Sequence, residues 1–250
     1  MSLESLTSVV LPEPRPLRLE DTALFIDLDG TLAPIAERPQ DVGPDPRRTS
    51  LLERLREGLH GRLAIVTGRT LADVDRILEG RAPCVAAVHG LVLRACDGTV
   101  QTPPPHPGLG AALDALREFA VRDSGLLVED KGASVALHFR LAQRRAAEAR
   151  AVARRVDAET GLALQEGDMV EELRTPGPAK GDSIRAFMET AGFAGAHPVF
   201  AGDDATDEHG FQAVESLGGY GVLVGRPRPT HARFGLRDVE AVMAWLEAAR

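Results

Sequence analysis

The sequence contains no Asn, two Lys, one Tyr, five Ile and two Cys among its 250 residues. Without Asn there is no acceptor for N-linked glycosylation. Cys84 and Cys96 stand twelve apart in no metal-binding or redox pattern, and two thiols make no disulfide framework. No stretch approaches the roughly 18 consecutive apolar residues of a membrane span. The N-terminal segment MSLESLTSVVLPEPRPLRLEDT lacks a basic n-region and a sustained apolar run, so it does not read as a secretory signal. Positive charge is short as well: 29 basic residues face 37 acidic ones, a net charge of −8. That balance excludes a dedicated nucleic-acid binder, whose affinity needs clustered positive charge. These absences point to a soluble cytoplasmic protein.

What remains is ample for a core. Hydrophobic residues make up 44% and charged residues 26%, which excludes disordered and fibrous classes. The length suits one large domain or two smaller ones. Of the 29 basic residues, 27 are Arg; only Lys131 and Lys180 are Lys. We read this as a compositional bias that replaces Lys by Arg wherever either serves. A compact ammonium and a broad planar guanidinium are not equivalent, so the two remaining lysines mark positions to watch.

Along the chain, residues 11–20 carry three Pro and read as an irregular lead-in. Ala23-Leu24-Phe25-Ile26 is a short apolar run ending at Asp27, the pattern of a fully buried strand. After Pro44 and Pro46, the spacing of Leu51, Leu52, Leu55 and Leu59 predicts a helix. A second strand is expected over 62–66, a helix over about 70–79 and a third strand over 85–88. Such alternation predicts a parallel sheet covered on both faces. Four Pro in residues 102–107 then mark a boundary. Beyond it a helix (about 108–121), strands near 126–130 and 133–139, a helix (about 142–160) and strands near 162–166 and 169–173 form a twice-repeated helix–strand–strand unit. After Pro176-Gly177-Pro178 the first alternation resumes. The expectation is an α/β protein: a Rossmann-like parallel-sheet core, 1–104 and 176–250, with an α+β cap inserted over 105–175.

Four elements carry chemistry. Asp27-Leu28-Asp29-Gly30-Thr31 follows the first buried strand, and ligands in open α/β sheets sit beyond the carboxyl ends of strands. Two carboxylates on that turn can share a hard cation such as Mg²⁺, or one can attack phosphorus; an acidic turn that merely caps the strand is the bland alternative. Thr67-Gly68-Arg69 offers a hydroxyl and backbone N–H groups at the next strand end, though Thr67 or Thr70 could equally be a helix cap. Lys180 opens a helix, where the dipole disfavours a cation. Asp203, Asp204, Asp207 and Glu208 put four acids in six residues, more than capping accounts for without a cation.

In this order the four elements resemble the haloacid-dehalogenase-like phosphatases. The resemblance implies that Asp27 is the nucleophile, and that Asp29 protonates the leaving oxygen and then activates water. It also implies that Thr67 and Lys180 hold the phosphoryl oxygens. Asp203 would complete a Mg²⁺ site with Asp27 and the Asp29 backbone carbonyl, with Asp204 and Asp207 in support. Further stretches are similar to the trehalose-6-phosphate phosphatase family: DLDGTLAPI at 27–35, VTGR at 66–69, HG at 89–90, and E-x-K with LHFR over 129–140. EELR at 171–174, KG at 180–181, GDDATDE at 202–208 and VG with T-x-A over 224–232 continue the match. Phe139 stands where Tyr is common, and His209-Gly210 where an acid and a small residue are usual.

On its strands the insert carries Glu129, Lys131, His138, Arg140, Glu171 and Arg174, spaced by two or three, as suits a sugar's many hydroxyls. The plain reading of the same spacing is a solvated sheet face. Arg69 and His89 fall near core strand ends and are candidate cleft residues; a structural role for His89 is equally open. The resemblance thus implies a Mg²⁺-dependent hydrolase of trehalose 6-phosphate whose cap closes over a small-molecule sugar phosphate. It would be cytoplasmic and engage neither nucleic acid nor membrane; the sequence leaves the oligomeric state open, with a monomer favoured. A phosphatase for sucrose phosphate or for a glycosylated phosphoglycerate is the nearest alternative, and a hexose phosphomutase is further off. A non-catalytic sensor fits poorly with intact Asp27, Asp29, Lys180 and Asp203.

Overall fold

A computed structural model describes residues 11–250; the first half of the segment read above as free of a secretory signal lies outside the described residues. The apolar run of β1 (Thr22–Ile26) lies at the centre of an eight-stranded sheet, and every residue of the strand is buried. Its side chains alternate between two separate cores. Leu24 and Ile26 join Leu63, Ile65, Val85, Val199 and Val222 on one face. Ala23 and Phe25 join Ala64, Val66, Phe200 and Leu223 on the other. A strand apolar on both sides belongs in the middle of a parallel sheet sandwiched by helices.

The strands β2 (Leu63–Val66) and β3 (Cys84–Ala87) continue the sheet on one side of β1. On its other side lie β10 (His197–Gly202), β11 (Tyr220–Val224) and β12 (Phe234–Leu236), all parallel. Helices α1 (Pro46–Gly58), α2 (Leu71–Leu78) and α7 (Val239–Glu247) cover one face, through Leu51, Leu52, Leu55, Val74, Ile77, Val242 and Leu246. Helices α5 (Lys180–Met188) and α6 (Glu208–Ser216) cover the other through Ile184, Phe187, Phe211 and Val214. The lead-in is irregular as expected, yet it is tied down: Leu17 is buried, Arg250 donates to its carbonyl at 3.0 Å, and the Trp245 indole donates to Arg15 O at 2.8 Å.

Three short strands were not read from the sequence: β12 at one edge of the large sheet, and two at the other. β4 (Val92–Arg94) and β5 (Val100–Gln101) extend the edge beyond β3 in antiparallel fashion. Three and two residues long, they are too short to show a period. Their hairpin also overturns the reading of the cysteines. β4 returns alongside β3, bringing Cys84 and Cys96 to a Cα–Cα distance of 4.5 Å, and the two are joined by a disulfide. A spacing of twelve carries no disulfide signature, because the antiparallel return that closes it is itself silent in the sequence.

Between β5 and α5 the chain builds a second sheet, antiparallel and in the order β6-β7-β9-β8, from β6 (Leu127–Asp130), β7 (Ser134–His138), β8 (Ala163–Gly167) and β9 (Val170–Arg174). Helices α3 (Leu109–Ala120) and α4 (Ala146–Thr160) pack on one face only, through Leu116, Phe119, Ala149 and Val156 against Val135, Leu137 and Leu173. The other face, with Glu129, Ala136 and Glu172 in register across three strands, is turned toward the carboxyl edge of the large sheet.

The disulfide closes a loop of modest length, which by chain entropy contributes about 2–3 kcal/mol. Reduction should therefore lower the urea midpoint of unfolding; identical curves with and without a phosphine reductant would show that the bond does not form.

Candidate active site

In a parallel sheet every strand delivers its following residue to the same edge. Asp27 follows β1, Thr67 follows β2, His89 follows β3 by two residues, and Asp203 follows β10. All four line one cleft of about 830 Å³ between this edge and the open face of the smaller sheet. No Phe, Tyr or Trp side chain lines it among the described residues.

At the floor, Lys180 is almost wholly buried, and its Nζ donates to Asp27 Oδ1 at 3.0 Å and Asp207 Oδ1 at 2.6 Å. Burial works against its charge, but Asp207 and Asp27 prevail and raise the ammonium well above its ordinary value. Asp207 spends its second oxygen on the Asp204 N–H at 3.0 Å, so it braces the turn from behind the cleft. Asp27 is pushed well above the usual carboxylate range by burial, with Lys180 opposing and Asp207 and Asp203 adding to the rise. Asp203 is pushed up to about 7 by burial and by Asp207. Its carboxylate accepts from the Thr31 hydroxyl at 3.3 Å and lies where a Cβ on Gly30 would collide; Gly30 meets the constraint with φ +80°.

Carboxylate oxygens of Asp27, Asp203 and Asp207 lie within 4.8 Å of one another. Three carboxylates, two buried and Asp203 partly so, face one ammonium; ionised together they would exceed it by two charges, and hard oxygen donors of that kind fit a divalent cation such as Mg²⁺. The residues present therefore fit the metal that the sequence resemblance implied. The Asp29 carboxylate is not part of the cluster. Arg69 grips both of its oxygens, Nε at 2.7 Å and Nη2 at 2.6 Å, and ties the pair to Pro39 O at 2.5 Å. Arg69, expected at the substrate, is thus engaged with Asp29. Thr70 caps α2 by accepting from Asp73 N at 3.1 Å, which leaves Thr67 at the cleft.

The roof comes from the smaller sheet. Glu129, Lys131, His138 and Arg140 all line the cleft. The Glu129 carboxylate accepts from His138 Nε2 at 2.8 Å. Arg140 reaches Asp168 at 2.8 Å across the β8–β9 hairpin. Two expectations fail here. Glu171 faces α3 and α4: it is buried, opposite Glu166 on β8, with Arg150 of α4 at 3.4 Å. Strand alternation puts its neighbour Glu172 in the cleft, and the parity of a two-acid pair cannot be told without the register. Arg174 shares the parity of Glu172 but sits at the far end of β9, binding Gln165 at 3.2 Å and the Pro178 carbonyl, outside the cleft.

Glu172 is the principal residue that the sequence reading missed. It accepts from Ser134 Oγ at 2.6 Å on one oxygen and from Lys131 Nζ at 2.6 Å on the other, with His89 Nε2 at 3.3 Å from the latter. Burial disfavours its charge, but Lys131 and His89 outweigh it and hold the carboxyl well below the usual range. Arg226 and Arg237, after β11 and β12, also line the cleft; neither belongs to a motif that could have marked it.

A family model described as trehalose-phosphatase matches residues 25–240. The chain belongs to the trehalose-phosphatase family. It is 36% identical over 237 residues to a probable trehalose-phosphate phosphatase of Sinorhizobium fredii, covering 91% of this chain and 89% of that one. It is 35% identical over 227 residues to trehalose-6-phosphate phosphatase of Escherichia coli, covering 90% and 85%. In three dimensions it resembles a trehalose-6-phosphate phosphatase related protein with a TM-score of 0.74 at 27% identity, covering 90% and 95%. The C-terminal domain of the Candida albicans trehalose-6-phosphate phosphatase, at 18% identity and a TM-score of 0.85 over 96% and 98%, shares the fold. As a member of the trehalose-phosphatase family the chain is a phosphatase, and its core carries the superfamily's four elements at one sheet edge.

Two outcomes follow for this family member. Lys180→Arg keeps the charge but puts a wider group into a closed space between two carboxylates; turnover should fall at least about a hundredfold with the circular dichroism unchanged, and near-normal turnover would refute the need for an ammonium. The depressed Glu172 carboxyl contributes stability above its unfolded value of about 4.3, lost as pH falls through that value toward the folded one. The gap in melting temperature between the native protein and Glu172→Gln should therefore narrow from pH 6 to pH 3, and a constant gap would contradict it.

Proposed function

We propose that the protein hydrolyses trehalose 6-phosphate to trehalose and phosphate, with residues 105–175 acting as a cap on a core formed by 1–104 and 176–250. The observation that carries the reading is the meeting of two unlike half-sites in one cleft. An acidic, lysine-braced strand edge is suited to a phosphoryl group, and a sheet face of paired acids and bases is suited to hydroxyls.

In this reading the Asp27 carboxylate attacks phosphorus in line, forming an O–P bond as the bond from phosphorus to the sugar oxygen breaks. Asp29 gives a proton to that oxygen, then takes one from the water that attacks the aspartyl-phosphate and frees Asp27 and inorganic phosphate. Arg69 orients Asp29 by gripping both of its oxygens, so one of these two contacts must break for Asp29 to carry the proton that it gives. Thr67 and Lys180 steady the phosphoryl oxygens. Mg²⁺, held by Asp27, Asp203 and the Asp29 carbonyl with Asp204 and Asp207 in support, would supply charge neutralisation for the transferred group. The sugar would be read by Glu129, Lys131, His138, Arg140 and Glu172. Water excluded beneath the cap strengthens each of these polar contacts.

We further propose a cytoplasmic enzyme, on its net charge of −8 and because no helix among the described residues is long and apolar enough to cross a membrane. Phosphate release from a panel of sugar phosphates with Mg²⁺ tests the substrate. Trehalose 6-phosphate should have the highest kcat/KM, and Asp27→Asn should lose roughly four orders of magnitude or more in kcat. A clear preference for sucrose phosphate or a glycosylated phosphoglycerate would overturn the substrate, and near-normal turnover by Asp27→Asn the nucleophile.

A further inference from the structure

After β3 the backbone does something costly. Val88, His89 and Gly90 take successive φ values of +47°, +56° and +100°. Left-handed conformation is unfavourable for any residue with a Cβ and worst for a β-branched one, so the first two residues are held by their surroundings. Val88 N donates to Arg69 O and His89 N donates to Thr67 O, both at 2.9 Å, which stitches the turn to the Thr67-Gly68-Arg69 loop.

The turn presses the His89 ring close against Gly68, where a Cβ would strike the imidazole. From there Nε2 meets Glu172 Oε2 across the cleft at 3.3 Å. The ring is largely buried, and burial holds its pKa below the ordinary histidine value although Glu172 opposes. Its Nδ1 is enclosed without a partner. With Nδ1 unpartnered, Nε2 is the ring nitrogen that faces the carboxylate. Lys131 Nζ closes the circuit, bonding the same Glu172 oxygen at 2.6 Å and the Gly68 carbonyl at 2.9 Å. Thus a residue of the large-sheet edge and two of the smaller sheet are locked together over the turn that carries Thr67.

We propose that His89 is a positioning residue: from its left-handed turn it fixes the Glu172 carboxylate, and through it Lys131, against the Gly68 carbonyl, so that sugar recognition is registered on the wall of the phosphate-binding loop. This rests on the proposal that Glu172 and Lys131 read the sugar. It assigns His89 no contact with the substrate. Strain of this kind persists where surrounding contacts over-determine it, and here those contacts are the two that join His89 to the loop below and the carboxylate above.

The test compares two esters in the full-length protein with Mg²⁺: trehalose 6-phosphate and p-nitrophenyl phosphate, which has no sugar. Loss of a donor to a buried carboxylate corresponds to roughly tenfold to a hundredfold. His89→Ala should lose that much in kcat/KM for the sugar phosphate and less than about threefold for the aryl ester. His89→Gln, whose amide can donate to Glu172, should recover most of the loss. Equal losses on both esters, or no recovery by Gln at an unchanged melting temperature, would overturn the proposal. If the native protein prefers another sugar phosphate, the substrate reading fails by itself, and the same ratio is then taken with the preferred ester. If His89→Ala melts early it is replaced by His89→Leu, which fills the space but carries no donor and must show the same selective loss for the proposal to stand.

Discussion

The structure is organised around an ammonium group that cannot leave. Lys180 sits at the first turn of its helix, where the dipole repels it, and stays because Asp27 at the end of β1 and Asp207 in the turn before α6 approach it from two sides. Remove it, and three carboxylates share a dry floor with nothing to offset them, a burden of several kcal/mol by the usual cost of unpaired buried charge. The parallel sheet follows from the same requirement. Only adjacent strands with coincident carboxyl ends bring Asp27 and Asp203 together, and only strands apolar on both faces can be adjacent in that way.

The second lysine closes the molecule from the other side. Lys131 lies in the turn between β6 and β7, yet its Nζ rests on Gly68 of the large-sheet edge. A four-carbon stem ending in a small, tetrahedral donor can touch a carbonyl and a carboxylate at once in a space too narrow for a guanidinium. In a chain with 27 Arg, both lysines occupy sites where this geometry matters. Scarcity in the composition thus coincides with two buried, paired ammonium groups, one at the floor of the cleft and one at its roof.

The legible parts were those where one local signal suffices. Apolar runs ending in Asp27 or Gly202 announced buried strands and their chemistry, because two-sided burial leaves no alternation to mistake. What depended on pairing was hidden. Glu171 and Glu172 are equivalent until the register with Ser134 and Glu129 assigns one to each face. Arg69 looked like a ligand for substrate because nothing in VTGR reveals that the Asp29 carboxylate, forty residues away, stands within its fork. The disulfide was invisible for the same reason as the short strands beside it: five residues of edge structure carry no period, and the hairpin that joins Cys84 to Cys96 is a tertiary event.

A cleft without Phe, Tyr or Trp has a thermodynamic signature. Carbohydrates offer apolar C–H faces that π-systems commonly cover, and here nothing of that kind is available. Selectivity must then come from where hydroxyls fall relative to fixed charges, so epimers differing at one carbon are separated by an unpaired polar group and not by lost contact area. Association dominated by hydrogen bonds and charge releases heat, offset by the ordering of the groups that make the contacts. It is also dark: Trp245, the only indole of the chain, is packed against the lead-in and does not line the cleft, so calorimetry, and not intrinsic fluorescence, is the natural way to watch this site fill.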